Sequence, residues 1–186
     1  MAEHSSLVRL RREWDLDVVW KGFELHPETP PGGIELGRLF GEARVAAMRP
    51  RLQAVAESFG IRGMGSPERL PNTRRALAMA EYARDHGRLD AFREAAMQAH
   101  WQEGKDLEDD ADLRAIAASA GLEPDAALAA SRDERFLARV DAAREEANAR
   151  GVTGIPTFFF GDVAVVGCQP YEELAAAAQA AGAERR

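Results

Sequence analysis

Apolar residues recur at steps of three and four positions through most of this chain, which is the spacing of one face of an α-helix. Leu7, Leu10 and Trp14 predict a short helix over 6–14. The same spacing predicts further helices at 35–47, 50–59, 73–86, 89–102, 110–120, 124–130, 133–150 and 170–181. Pro50 suits the first turn of its helix, and Asn72 suits the N-cap of the next one.

Strand character is confined to two places in the sequence. A run rich in β-branched and aromatic residues predicts a strand over 17–25, and its two adjacent valines indicate burial on both faces. Near the other end, residues 157–160 and 163–166 flank the pair Gly161-Asp162. This arrangement predicts a β-hairpin with a two-residue turn.

The predicted elements follow the order helix, strand, long helical block, hairpin, helix. No internal repeat or low-complexity linker separates a second independent domain. The helical block has apolar faces of its own, and this favours an α/β domain that carries an insertion. We therefore predict a core formed by residues 1–33 and 151–186, with residues 34–150 as an inserted helical subdomain.

Composition narrows the chemistry that the chain can perform. With 186 residues, 46% of them hydrophobic, it can bury a core without disulfide bridges. Its one cysteine, Cys168, cannot close an intramolecular disulfide, form a Cys-x-x-Cys redox pair or supply a cysteine-rich zinc site. Dithiol chemistry within this chain is therefore excluded.

Charge and hydropathy narrow the expected partners. There are 24 basic and 31 acidic residues, a formal net charge of −7, so the balance gives no reason to expect nucleic acid. No stretch is apolar for long enough to span a membrane, and residues 1–14 are too charged for a signal peptide, so we expect a cytoplasmic protein. The four histidines and the acidic run 103–112 lack metal-ligand spacing, and no metal site is predicted.

The segment 151–160, Gly-Val-Thr-Gly-Ile-Pro-Thr-Phe-Phe-Phe, is the most informative part of the sequence. Pro156 precedes a predicted strand, and it must occupy the first strand position or a special turn because proline cannot donate a ladder hydrogen bond. This segment, with the hairpin and the helix after it, resembles the C-terminal half of DsbA-like thioredoxin-fold proteins. Residues 19–28 resemble the second strand and loop of the cytoplasmic FrnE-type branch of that family. Further points of resemblance along its helical insertion are 72–76, 81–83 and 121–122.

This resemblance covers nearly the whole chain and implies both a fold and an activity. The implied fold is α/β and thioredoxin-like with a large helical insertion, and the implied activity is thiol-disulfide exchange on thiol-containing protein or small-thiol substrates. In that family the proline matching Pro156 is cis and lies beside the active site. The peptide group of the residue before it, here Ile155, hydrogen-bonds extended substrate, a contact that tolerates many substrate sequences.

The sequence departs from the family pattern at its N-terminal end. The family begins with a central strand that leads into a Cys-x-x-Cys motif at the start of the first helix, and neither is recognisable here. We therefore expect this chain to be inactive in dithiol exchange, because a single thiol cannot resolve its own mixed disulfide. Three explanations stay open: a shortened reading frame, completion of the sheet by another protomer in a homodimer, or direct re-pairing of the remaining strands.

Two other functions stay open beside this one. A noncatalytic peptide-binding or assembly module would keep the contact at Ile155 and Pro156 without turnover. A glutathione-linked isomerase or transferase, resembling 2-hydroxychromene-2-carboxylate isomerase, would use a serine at the start of the first helix and an asparagine of the helical insertion. Ser5, Ser6 and Asn72 are the residues that match those positions, although helix capping also explains them.

Cys168 is a further candidate because it comes just before the last predicted helix. A thiol at a helix start can have a lowered pKa and act as a nucleophile. A small, partly buried structural residue is the simpler interpretation, since free cysteines are usually buried and inert. The resemblance assigns no catalytic role to this position. No cofactor is predicted, apart from glutathione under the isomerase alternative.

Overall fold

Helices dominate the computed structural model of the chain, which describes residues 2–58, 60–61 and 63–186, with side chains from residue 6 onward. The helices are α1 (Ala2–Glu13), α2 (Leu36–Phe40), α3 (Glu42–Ser58), α4 (Arg74–Asp85), α5 (Leu89–Trp101), α6 (Asp110–Ser119), α7 (Pro124–Ala130), α8 (Glu134–Ala149) and α9 (Tyr171–Ala180). The strands are β1 (Ile34–Glu35), β2 (Arg69–Leu70), β3 (Thr157–Phe160) and β4 (Val163–Val166). The helices predicted from residue 73 onward are confirmed to within one residue at each end.

The predicted hairpin is confirmed. Strands β3 and β4 pair antiparallel in the register Thr157↔Val166 to Phe160↔Val163, so Gly161 and Asp162 form the turn. A second, very short antiparallel pair joins β1 to β2, with Ile34 opposite Leu70. The sequence analysis missed this pair, because two-residue strands are too short to show a period of two.

The helix boundary predicted at Pro50 is wrong. Helix α2 ends at Gly41, whose φ of +83° favours glycine, and α3 begins at the next residue and continues through Pro50. A proline inside a helix removes one hydrogen bond but need not end the helix. The predicted pair of helices 35–47 and 50–59 is therefore replaced by a five-residue helix and a seventeen-residue helix.

The prediction of a strand over 17–25 is also wrong. The segment forms no ladder with any strand in the part of the chain that the structure describes. β-Propensity alone does not make a strand, because the ladder needs a partner. Arginine side chains hold the segment instead: Arg84 Nη2 donates to the carbonyl oxygen of Trp20 at 2.5 Å, and the Arg93 guanidinium lies 3.3 Å from the Trp20 ring centroid.

Most buried apolar side chains of the described residues fall into three clusters. The largest lies among helices α4 to α7 and includes Met79, Phe92 and Leu113, each at most 2% exposed. A second joins α1 to α9 through Leu10 and Leu174, and the inner face of the hairpin packs against it. The third lies between α4 and α8. The hairpin is thus supported by the two terminal helices, and α8 connects the helical block to the loop that precedes β3.

In the part of the chain that the structure describes, no helix is both long and apolar enough to cross a membrane.

Candidate functional site

The loop between α8 and β3 carries the predicted substrate-binding residues. It leaves α8 through Gly151, whose φ is +74°. The Thr157 hydroxyl donates to the carbonyl oxygen of Gly154 at 2.7 Å, and Gly167 N donates to the carbonyl oxygen of Pro156 at 2.7 Å. The peptide bond between Ile155 and Pro156 is cis. These two hydrogen bonds therefore fix Gly154 and Pro156, the residues on either side of Ile155.

Ile155 lies at the surface, just before β3. The residue is 54% exposed and precedes the first ladder pair of β3 by two positions. Among the described residues, none forms a hydrogen bond with its N–H or its carbonyl group. Main-chain polar groups need a partner, either water or another chain. The main-chain polar groups of Ile155 are therefore not used in hydrogen bonds among the described residues.

A cavity of about 190 Å³ lies beside this loop. The residues Val152 and Thr153, just before Ile155, line it from the loop. Its other apolar lining comes from Phe23, Leu25 and Pro27, and its other polar lining comes from Glu24, Arg144 and Asn148. It therefore joins the segment 23–27 to α8 and to the candidate peptide-binding loop.

Glu24 is the buried charged group of this cavity, with its side chain only 5% exposed. Its Oε2 accepts hydrogen bonds from Arg74 Nη1 at 3.2 Å and Arg144 Nη1 at 3.4 Å. Asp141 completes the cluster by accepting two bonds from Arg74, at 2.8 and 2.7 Å, and one from Arg144 at 3.2 Å. Two carboxylates therefore face two guanidinium groups, and the cluster has no formal net charge.

The hydrogen bonds within this cluster stabilise its charged forms. The bonds to Asp141 raise the pKa of Arg74 above its usual value, and Arg74 lowers the pKa of Asp141. The sequence analysis did not single out any member of the cluster. The available signal was a lone carboxylate, Glu24, between the apolar residues Phe23 and Leu25. Such a residue is buried only where a cation pairs with it.

Asn72 uses its side chain in structural hydrogen bonds. Helix α4 begins at Arg74, and Asn72 Oδ1 accepts a bond from Arg74 N at 3.0 Å, which satisfies one of the free donors at the helix start. Asn72 Nδ2 donates to the carbonyl oxygen of Thr29 at 2.7 Å. Its main-chain N–H donates to Glu108 Oε2 at 3.2 Å. Asn72 therefore joins the loop around Thr29 to the helical block.

The serine candidates do not lie at a helix start. Helix α1 begins at Ala2, so both Ser5 and Ser6 fall inside it, and the predicted start at residue 6 is wrong. Ser6 is buried, at 7% exposure, and the side chain of Ser5 lies outside the described ones. The main-chain N–H of an internal helical residue is used by the helix itself. The structure thus does not place either serine at the helix terminus where the anion-binding role was expected.

Cys168 is partly buried between β4 and α9. Helix α9 begins at Tyr171, three residues later, so the thiol is not at the helix start. Cys168 lies at the end of the hairpin away from the turn at Gly161. It directly follows Gly167, whose N–H donates to the carbonyl oxygen of Pro156. Cys168 is not among the residues that line the cavity beside Glu24.

The acidic run 103–112 uses its carboxylates in internal contacts. Asp109 caps α6 by accepting bonds from two main-chain N–H groups. Hydrogen bonds from Arg132 and Arg75 lower the pKa of Asp110 to about 2. Lys105 pairs with Asp112 at 3.0 Å. Among the described residues, no three His, Cys, Asp or Glu side chains are grouped so that they could hold a metal ion.

Comparisons with known proteins agree with the fold expected from the sequence. A family model described as DSBA-like thioredoxin domain matches residues 2–179. The uncharacterized protein YwbO of Bacillus subtilis (strain 168) is 26% identical over 160 residues, which cover 82% of this chain and 76% of that protein.

Two solved structures show the same architecture. A probable DsbA oxidoreductase from Streptomyces coelicolor superposes with a TM-score of 0.85 at 24% identity, covering 97% of this chain and 82% of that one. A 2-hydroxychromene-2-carboxylate isomerase superposes with a TM-score of 0.74 at 19% identity, covering 97% and 87%. The predicted thioredoxin-like α/β fold with a helical insertion is confirmed.

Proposed function

Because the chain belongs to the DSBA-like thioredoxin domain family, we propose that it is a thiol-disulfide oxidoreductase homologue that binds extended segments of thiol-containing proteins through the main chain of Ile155. We further propose that this chain does not itself perform dithiol exchange. The FrnE-type branch, a cytoplasmic location and a homodimer stay predictions from the sequence.

The exposure of Ile155 is the observation that carries the binding proposal. Its N–H and carbonyl groups are unused by the described residues, and β3 continues from Thr157 in extended conformation. A peptide that pairs with Ile155 would add main-chain hydrogen bonds of the kind found between strands. Such bonds do not depend on the side chains of the substrate, so they suit a protein that meets many sequences.

The single thiol supports the second part of the proposal. Disulfide exchange proceeds through a mixed disulfide, and a second thiol must attack that bond to release the substrate. Cys168 is the one cysteine in 186 residues. Any mixed disulfide that it formed would therefore need a thiol from another molecule for its resolution.

Fluorescence anisotropy with a cysteine-free, fluorescein-labelled decapeptide tests the binding. Methylation of one peptide nitrogen at a time removes one main-chain donor from the probe and leaves the protein unchanged. Methylation of the one peptide nitrogen whose N–H pairs with Ile155 should weaken binding about fivefold, because one main-chain hydrogen bond is lost. Equal affinities for all the N-methylated peptides would contradict main-chain pairing.

Substitutions in the protein provide the complementary measurement. Pro156→Ala should weaken binding of the same peptide, because alanine releases the backbone torsion that the proline ring holds next to Ile155. Val163→Ala is a matched control, because Val163 is a 40% exposed residue on β4, away from Ile155 along the hairpin. Unchanged affinity in Pro156→Ala would count against the loop as the binding site.

The absence of turnover is tested by the reduction of insulin with dithiothreitol, followed by turbidity. We expect the same rate with and without the protein. Clear acceleration would contradict the proposal. Calorimetric titration with glutathione tests the isomerase alternative, for which saturable binding is the expected result.

A further inference from the structure

The cavity beside Ile155 contains an available acceptor on a buried carboxylate. Glu24 Oε2 accepts both guanidinium bonds, and Oε1 accepts none of the hydrogen bonds formed among the described residues. Every fully buried side-chain nitrogen or oxygen among those residues has a hydrogen-bond partner. Oε1 is therefore not fully buried, and Glu24 is one of the residues that line the cavity.

Arg144 supplies donors at the same cavity. Its side chain is 30% exposed, and it uses Nη1 for Glu24 and Nη2 for Asp141. A guanidinium group carries five N–H donors, so others remain for a ligand. Glu24 and Arg144 thus line one small space together with four apolar residues and the uncharged polar residues Asn148 and Thr153.

The balance of charge selects against charged ligands. A lysine ammonium would gain attraction to Glu24 but would meet Arg144 and Arg74, which hold the same carboxylate. A carboxylate would gain attraction to Arg144 but would meet Glu24 and Asp141. A neutral group that both donates and accepts satisfies Glu24 and Arg144 together. The side-chain carboxamide of glutamine or asparagine has this chemistry.

We infer that this cavity is a subsite for the side-chain carboxamide of a bound peptide, with glutamine preferred, and this inference rests on the proposed function of Ile155. The volume of about 190 Å³ equals that of about six water molecules, which is room for the five heavy atoms of a glutamine side chain.

The spacing of an extended peptide fits the distance from Ile155 to the cavity. Thr153, which lines the cavity, lies two residues before Ile155, so their Cα atoms are at most about 7 Å apart. Side chains on one side of an extended peptide recur about every 6.8 Å. We therefore place the glutamine two positions from the peptide residue that pairs with Ile155, a spacing that matches the largest separation of Thr153 from Ile155.

The test uses the labelled decapeptide with one variable position, which carries Gln, Glu, Lys or Leu as the guest residue. The variable position is moved along the peptide, and the affinity of each peptide is measured. At one position, Gln should bind about tenfold more tightly than the other three guests, because it gains two hydrogen bonds to charged groups. Leu25→Trp fills the cavity from a 42% exposed position and should abolish this preference. Leu52→Trp, at a 47% exposed position on α3, is the matched control and should retain it.

Glu24→Gln should also reduce the preference for Gln, and Leu25→Trp keeps the test decisive if that variant does not fold. Affinities that agree within about twofold for all guests at every position would overturn the subsite. The effect of N-methylation would then still support pairing at Ile155. A preference for Lys or Glu would overturn the charge argument. Failure of every peptide to bind would overturn both the proposed function and the subsite.

Discussion

Replacement of Asn72 by alanine should destabilise the protein through two separate losses. The acceptor that satisfies Arg74 N at the start of α4 is removed, and the donor to the Thr29 carbonyl oxygen is removed with it. Loss of a helix-capping acceptor costs about 1 kcal/mol. Thr29 is only 5% exposed, so its unpaired carbonyl adds about 1–3 kcal/mol. The expected loss in free energy of unfolding is thus about 2–4 kcal/mol.

A serine at the same position separates the two losses. Serine keeps a side-chain oxygen that can accept from Arg74 N, but it is too short to reach the Thr29 carbonyl. Asn72→Ser should therefore cost about 1–3 kcal/mol, less than Asn72→Ala. Urea unfolding followed by circular dichroism measures both values, and an unchanged slope would show that the compactness of the two states is the same.

The result that refutes this reasoning is a cost below about 0.5 kcal/mol for Asn72→Ala, the usual range for a surface substitution. Peptide affinity, measured by anisotropy on the folded variants, gives the second readout. A structural Asn72 should leave that affinity unchanged, because its hydrogen bonds to the described residues join Thr29, Arg74 and Glu108 and none of these lies in the loop 151–156. A large loss of affinity in a fully stable variant would instead favour a direct role in binding.

Two further predictions concern pH and backbone geometry. A hydrogen bond from Tyr171, with two from arginines, lowers the pKa of Glu13 from 4.5 to about 2, so its contribution is complete above about pH 4.5 and is lost as the pH falls towards 2. Melting temperatures should therefore fall less over this range in Glu13→Gln than in the wild type, and parallel curves would contradict this. Gly33→Ala should destabilise more than Gly32→Ala, since both have positive φ but a Cβ at Gly33 would lie 2.6 Å from the Leu70 carbonyl oxygen while one at Gly32 meets nothing within 4 Å. Equal urea midpoints for the two variants would contradict the steric argument.

The helices α6, α7 and α8 were predictable because two local signals coincide there. The period of the apolar residues identifies each helix, and the side chains at its start identify the boundary. Asp109, Glu123 and Asp133 each accept hydrogen bonds from main-chain N–H groups at the start of the next helix. Around residues 35–58 the two signals disagree, because Pro50 suggests a boundary that the chain instead forms at Gly41.

The cavity was not predictable, because its chemistry depends on pairs that are distant in sequence. Arg74 lies 50 residues from Glu24, and Arg144 lies 120 residues from it. A period in one segment shows which of its residues face a core, but it does not identify the cation that allows a carboxylate to be buried. The hairpin and the position of Pro156 just before β3 were predictable because they depend on immediate neighbours in sequence, whereas the substrate-binding role of Ile155 came from the family resemblance and stays a proposal.

The segment 17–25 shows how the same long-range pairs replace a local structure. Its apolar residues favour a strand, and Val18 and Trp20 pack against the cluster between α1 and α9. Its ion pairs and hydrogen bonds instead involve charged side chains of the helical block: Arg84 binds the Trp20 carbonyl, Lys21 pairs with Glu146, and Arg74 and Arg144 bind Glu24. These contacts come from both α4 and α8, so they fix the segment against the helical block at several points along its length. The cavity forms where Glu24 and the residues beside it meet α8. These contacts fix the segment, which forms no strand ladder among the described residues. The same contacts therefore place the buried carboxylate of Glu24 beside the loop that contains Ile155.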